Sequence, residues 1–192
     1  MTWFERLLAH FFPVVGTPAL PTRRQLARDT LFQMGFDLSG ALDARYLIIH
    51  HSESADTGTS QFEAIRRFHM APKPEGRGWD DIAYNGLVEN VGGSIQIRPG
   101  RKLNTIGTHT KGYNDKSFAF CAVGNFDLVS PSIEIWEAMV RLTSLFQDAF
   151  DIKTEAVVGH RETALCDPDK YCPGSKWDMT IMRRNLSARR LA

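Results

Sequence analysis

The chain has 192 residues, 43% of them apolar and 23% charged, and a formal net charge of +1. That length suits one domain with an appendage, and that composition excludes disordered and collagen-like chains. Twenty-three Lys and Arg against 22 Asp and Glu leave no global field to gather nucleic acid or an anionic membrane, so any partner must be met at a local site.

No apolar run approaches the ~20 residues that a membrane-spanning helix requires, so no stable membrane insertion is expected. The nearest, Leu7 to Val15, is broken by His10 and Pro13, and Glu5 and Arg6 cancel before it, which makes a poor signal peptide. A short helix is expected over residues 2–12, carrying Trp3, Phe4, Leu7, Leu8 and Phe11, then an extended linker from Val14 to Pro21. Residues 1–40 thus read as an N-terminal helical extension and linker, and 41–192 as the domain proper.

Thr22 is placed to cap a helix running to about Gly35, with Leu26, Leu31 and Phe32 among its apolar positions. Tyr46 to His51 is a compact run, β-branched in its middle, and reads as a buried strand. Ser60 and Glu63 have the spacing of a capping box, opening a helix with Phe62, Ile65 and His69 near one face. Ile82 to Glu89 and Ser94 to Arg98 read as strands joined by a hairpin at Val91-Gly92-Gly93. Ser117 to Val123 is a further apolar strand. Ser130-Pro131 marks a helix start, and Ile133, Trp136, Val140, Thr143, Leu145 and Phe146 keep a helical period to about Phe150. Glu155 to Val158 is a short strand and Trp177 to Leu186 a final helix, whose Arg183 and Arg184 begin a basic tail with Arg189 and Arg190. The alternation predicts a single α/β domain with a central mixed β-sheet flanked by helices.

Four segments carry chemistry: Ile48-Ile49-His50-His51-Ser52, Trp79-Asp80-Asp81-Ile82-Ala83-Tyr84, Gly159-His160-Arg161-Glu162 and Lys170-Tyr171-Cys172-Pro173-Gly174. Two imidazoles and a thiolate suit zinc, and three protein ligands leave a fourth position open. Alternation puts His50 and His51 on opposite faces of their strand, so at most one easily reaches a shared metal. Three cysteines are too few for a disulfide scaffold and odd in number. Cys121, inside an apolar strand, reads as core. Cys166 and Cys172 both remain open as ligands on spacing alone.

Read together, IIHHS (48–52), GWDDIAYNGLV (78–88), GTHTKGYNDKSFAFCAVGNF (107–126) and GHRE followed by KYCPG (159–162, 170–174) resemble the zinc-dependent N-acetylmuramoyl-L-alanine amidases. That family includes amidase-type bacteriophage lysozymes and peptidoglycan recognition proteins. The segments occur in the family's order, across roughly residues 44 to 187. The resemblance implies that fold, with a zinc site at one edge of a groove. It implies His50, His160 and Cys172 as zinc ligands, Tyr84 and Lys170 as catalytic residues, and His109 and Asn114 as residues lining the substrate groove. One departure stands out: His160 and Cys172 are 12 positions apart, and the longer gap carries the competing thiol Cys166.

The implied reaction is hydrolysis of the amide between N-acetylmuramic acid and L-alanine of the peptidoglycan stem, by a monomer. Tyr84 and Lys170 are suited to donate to the developing oxyanion, and either is suited to move the proton. Glu162 is expected to bond to backbone or support a ligand. The alternative is a peptidoglycan-binding module without catalysis, which typically lacks the third ligand. A zinc deaminase is set aside, because no Cys-x-x-Cys is present. Without a convincing export signal, the expectation is synthesis in the cytoplasm, followed by action on the cell wall after phage-type release or dedicated secretion, or by wall recycling in the cytoplasm.

Overall fold

Helix α1 (Arg23–Gln33) opens the chain described by the computed structural model, which covers residues 20–191. The helix expected over 2–12 and nearly all of the linker after it lie outside the described residues. Thr22 accepts the Gln25 N–H at 3.1 Å, as its cap position predicts, and Gly35 ends the turn at φ +89°. Only Ala27 and Leu31 of α1 are buried; Leu26 and Phe32 face outward, contrary to the expected apolar stripe.

Strand β1 (Tyr46–His51) is followed by α2 (Phe62–Met70), β2 (Gly86–Val91), β3 (Ser94–Pro99) and β4 (Ser117–Ala122). Then come α3 (Ile133–Phe150), β5 (Val157–Gly159) and α4 (Met179–Leu191). The strands form one mixed sheet in the order β3-β2-β4-β1-β5. The β2–β3 hairpin is antiparallel, as its Gly92-Gly93 turn predicts, and the other pairings are parallel.

Four boundaries move from the sequence expectation. Ile82 to Asn85 are not strand, because buried Arg101 holds them as a loop through the Ile82 and Asp81 carbonyls. Ser132, not Ser130, caps α3, accepting the Ile135 N–H at 3.3 Å. A 3-10 turn at Thr154–Ala156 delays β5. Trp177 is fully buried ahead of α4, packed at a tilt against Phe126 and Trp136.

The expected capping box at Ser60 is absent. Gln61 begins α2 without a bond from its own side chain. The carboxylate of Glu89, fully buried in β2, accepts the Gln61 N–H at 2.7 Å, the Phe62 N–H at 3.2 Å and the Ser60 hydroxyl at 2.9 Å. A charged acceptor at a helix N-terminus bonds those orphan donors more strongly than a neutral cap does. A β2 residue therefore fixes where α2 starts.

Period-two alternation divides the sheet's two faces. Leu47 and Ile49 of β1 join Phe118 and Phe120 of β4 in the main core, against α1, α3 and α4. Phe146 of α3 meets Phe36, Phe118 and Phe120 edge-on, at centroid distances of 5.2, 5.6 and 4.7 Å. Each such ring contributes about 1.5–3 kcal/mol by burial. The opposite face holds a smaller cluster of Phe62, Ile82, Leu87, Cys121 and Val123, with Tyr84 against it. His50 pairs in register with Cys121 and so belongs to this second face.

Candidate metal centre

His50 ends the groove-facing row of β1, His160 follows β5 in a 3-10 turn, and Cys172 lies in the loop before α4. Because β1 and β5 are parallel neighbours with Ile49 opposite Gly159, both histidines emerge at the same sheet end. The imidazole centroids are 4.7 Å apart, and Cys172 Sγ lies 3.5 Å from His50 Nδ1. One donor atom from each of the three residues falls within 4.8 Å of the others. The triad that the resemblance implied is thus brought together from three distant segments.

Arg161 explains why the cysteine loop sits there. Its N–H donates to the Cys172 carbonyl at 2.7 Å, and its guanidinium to the carbonyls of Tyr171, Gly174 and Trp177. Gly174 is required at φ +111°, where a Cβ would stand 2.5 Å from the Phe126 backbone. Glu162 accepts the Gly159 N–H at 2.8 Å and pairs with Arg183 through both oxygens, so it bonds backbone as expected.

A groove of about 910 Å³ covers this face and is lined by the triad, Tyr84, His109, Asn114, Cys166 and Lys170. Tyr84 packs 5.2 Å from the His50 ring, and its hydroxyl meets the Cys121 thiol. Burial pushes the phenol well above its ordinary value, so it stays protonated. Lys170 is exposed on the rim. Cys166 lines the groove but lies outside the donor triad. His109 and Asn114 both line the groove; His109 is 8% exposed, and Asn114 Oδ1 accepts the N–H groups of His109 and Thr110.

His51 takes the other face, as alternation predicts. Its Nδ1 accepts the Phe126 N–H at 3.2 Å, which places the hydrogen of the neutral ring on Nε2. Nε2 faces Glu53 and Asp127 at 3.7 and 3.9 Å. The three groups cluster closely enough for a metal, but a nitrogen carrying hydrogen has no lone pair to give. His51 is a hydrogen-bonding residue.

Two residues escaped the sequence reading. His69 packs between Trp79 (4.9 Å) and Tyr84 (5.6 Å) on the groove wall. Its Nδ1 accepts the Ala83 N–H at 3.2 Å, leaving Nε2–H as the remaining donor. Burial, then the charges of Arg77 and Arg101, push its pKa down to about 4. Its helical spacing with Phe62 and Ile65 marks a buried face and nothing more. Arg101 is 3% exposed and ties Asp80, Ile82, Ile106 and Thr108 together beneath the groove. No pattern in the sequence flags it.

The donor set fits zinc. Burial, then His160 and His109, hold His50 far below its ordinary value, so it is a neutral imidazole. Burial pushes the Cys172 thiol up to about 12. A buried thiol of that kind ionises only with a cation alongside, and zinc supplies one.

A model of the N-acetylmuramoyl-L-alanine amidase family matches residues 40–175. The chain belongs to this family. One relative is Drosophila melanogaster peptidoglycan-recognition protein LB, 30% identical over 141 residues, covering 69% of this chain and 56% of that protein. The chain thus spans little more than half of that relative. An amidase endolysin from Clostridium intestinale shares the fold at a TM-score of 0.61 and 19% identity, over 76% of this chain and 85% of that one. A tyrosine-to-phenylalanine variant of Drosophila PGRP-LB, solved in complex with tracheal cytotoxin, matches at a TM-score of 0.58 and 29% identity. That match covers 76% of this chain and 82% of the other.

Proposed function

We propose that this amidase-family chain hydrolyses the amide between N-acetylmuramic acid and L-alanine in peptidoglycan, with zinc held by His50, His160 and Cys172. The observation that carries the reading is the convergence of those three donors within 4.8 Å on the floor of an open groove. The relative solved with tracheal cytotoxin supports a wall-derived ligand for the groove. Zinc in such a setting supplies Lewis-acid polarisation of a carbonyl and a nucleophile at neutral pH.

The chain's own residues do the rest. Tyr84, protonated and beside His50, donates to the amide oxygen as negative charge develops there. Lys170 lies near enough to depress the pKa of His160, after burial. From the rim, its Nζ delivers a proton to the departing amine. His69 offers Nε2–H to the substrate on the opposite wall. Asn114 acts through the loop it holds.

A binding module without catalysis would not need a buried thiol beside two neutral imidazoles. No helix among the described residues is long and apolar enough to cross a membrane. Action on the bacterial cell wall as a monomer completes the reading. The test is mass spectrometry of purified peptidoglycan digested by the pure chain: new L-alanine amino termini are expected. New reducing sugar ends, or no cleavage by zinc-loaded protein, would refute it.

A further inference from the structure

One hydroxyl lies between two buried imidazoles. Thr110 is 3% exposed, and its Oγ1 lies 3.3 Å from His50 Nε2 and 3.1 Å from His109 Nδ1. The loop clamps it there, since Asn114 Oδ1 accepts the Thr110 N–H at 2.8 Å and the His109 N–H at 3.0 Å. A hydroxyl has one hydrogen to give and lone pairs to accept. With the His50 Nδ1 lone pair given to the proposed zinc, that inventory sets the direction of the chain. His50 turns Nδ1 toward Cys172 at 3.5 Å, and a ring that offers its Nδ1 lone pair carries its hydrogen on Nε2. His50 Nε2–H therefore donates to Thr110, and the Thr110 hydroxyl donates to His109 Nδ1. His109 then carries its hydrogen on Nε2. Only glycine fits beside it: a Cβ on Gly107 would stand 2.7 Å from His109 Nε2.

We infer that Thr110 is a positioning residue of the metal centre, selecting the His50 tautomer whose Nδ1 faces Cys172 and seating His109 as its backing. This rests on the proposed zinc site and extends it to a residue outside the donor triad. It also gives His109 and Asn114 a purpose: Asn114 holds the loop, Thr110 orients His50, and His109 takes the hydroxyl hydrogen. Outer partners of metal-bound histidines typically alter metal affinity about 10- to 100-fold when removed.

The experiment compares zinc affinity, by chelator competition, for the full chain, Thr110→Val and Thr110→Ser. Thr110→Val is expected to weaken zinc by ~10- to 100-fold. Thr110→Ser, which restores the hydroxyl, should return to within about threefold of the parent, a recovery that loss of packing alone would not give. Two-bond proton–nitrogen spectra of the parent chain without metal keep the idea falsifiable should Thr110→Val misfold. They should show His50 and His109 both protonated on Nε2. A parent His50 protonated on Nδ1, or a folded Thr110→Val with parental zinc affinity, overturns the inference while leaving the zinc site standing. A parent chain that binds no zinc overturns both.

Discussion

The N–H of Arg161 donates to the carbonyl of Cys172 at 2.7 Å, so the residue after one proposed zinc ligand is pinned to another across the intervening loop. Between them, Leu165, Cys166, Asp167 and Lys170 line the groove, and Leu165 lies against Gly112. A longer gap between His160 and Cys172 therefore leaves the thiol in place. The extra length is absorbed by a loop that adds Cys166 to the groove wall.

Cys172→Ala is expected to weaken zinc by more than about 100-fold, beyond what supporting residues usually cost, and to abolish wall cleavage. Cys166→Ala should retain stoichiometric zinc. Metal analysis of the two purified variants checks this, and the opposite pattern would hand the ligand role to Cys166.

Tyr84→Phe removes one donor to the developing oxyanion and should lower turnover ~100- to 1,000-fold with zinc still bound. Lys170→Ala should fall comparably, with its loss growing for substrates whose leaving amine is more basic. Steady-state kinetics on a muramoyl-peptide checks both. Unchanged turnover in either variant removes that residue from the mechanism.

Folding stability should fall below neutral pH. The pKa of His69 goes from 6.5 to about 4 on folding, through burial, then Arg77 and Arg101. His109 goes to about 3, through burial, then His160 and Arg101. The unfolded chain thus binds protons first. Stability is intact above pH 6.5 and drains as pH falls toward 4, by roughly 3 kcal/mol for His69 alone. Urea unfolding of the metal-free chain from pH 8 to pH 4 measures the slope; a flat profile contradicts the burial of these rings.

Glu89→Ala should destabilise the fold by about 2–4 kcal/mol, because it strands the Gln61 and Phe62 N–H groups and the Ser60 hydroxyl. The loss should centre on α2, where hydrogen exchange at residues 62–66 ought to accelerate beyond the rest of the sheet. Uniform acceleration would mean that Glu89 does not set the start of that helix.

Much of this molecule is local, and local patterns carry it. The apolar run of β1, the double-glycine hairpin and the Thr22 cap follow from residues within a few positions of each other. Strand alternation was enough to send His50 and His51 to opposite faces, because the period of two is a property of the backbone. The four motifs, in their order, were enough to point to the family. Tertiary structure decided what depends on residues meeting across the chain. Parallel pairing of β1 with β5 put His50 and His160 at one sheet end, and Arg161 drew Cys172 to them while Cys166 stayed outside. Glu89, Arg101 and Thr110 had no visible assignment in the sequence. Each acts by hydrogen bonds to groups chosen by the fold, and a side chain's own spacing holds no record of a partner 60 residues away, as His50 is from Thr110.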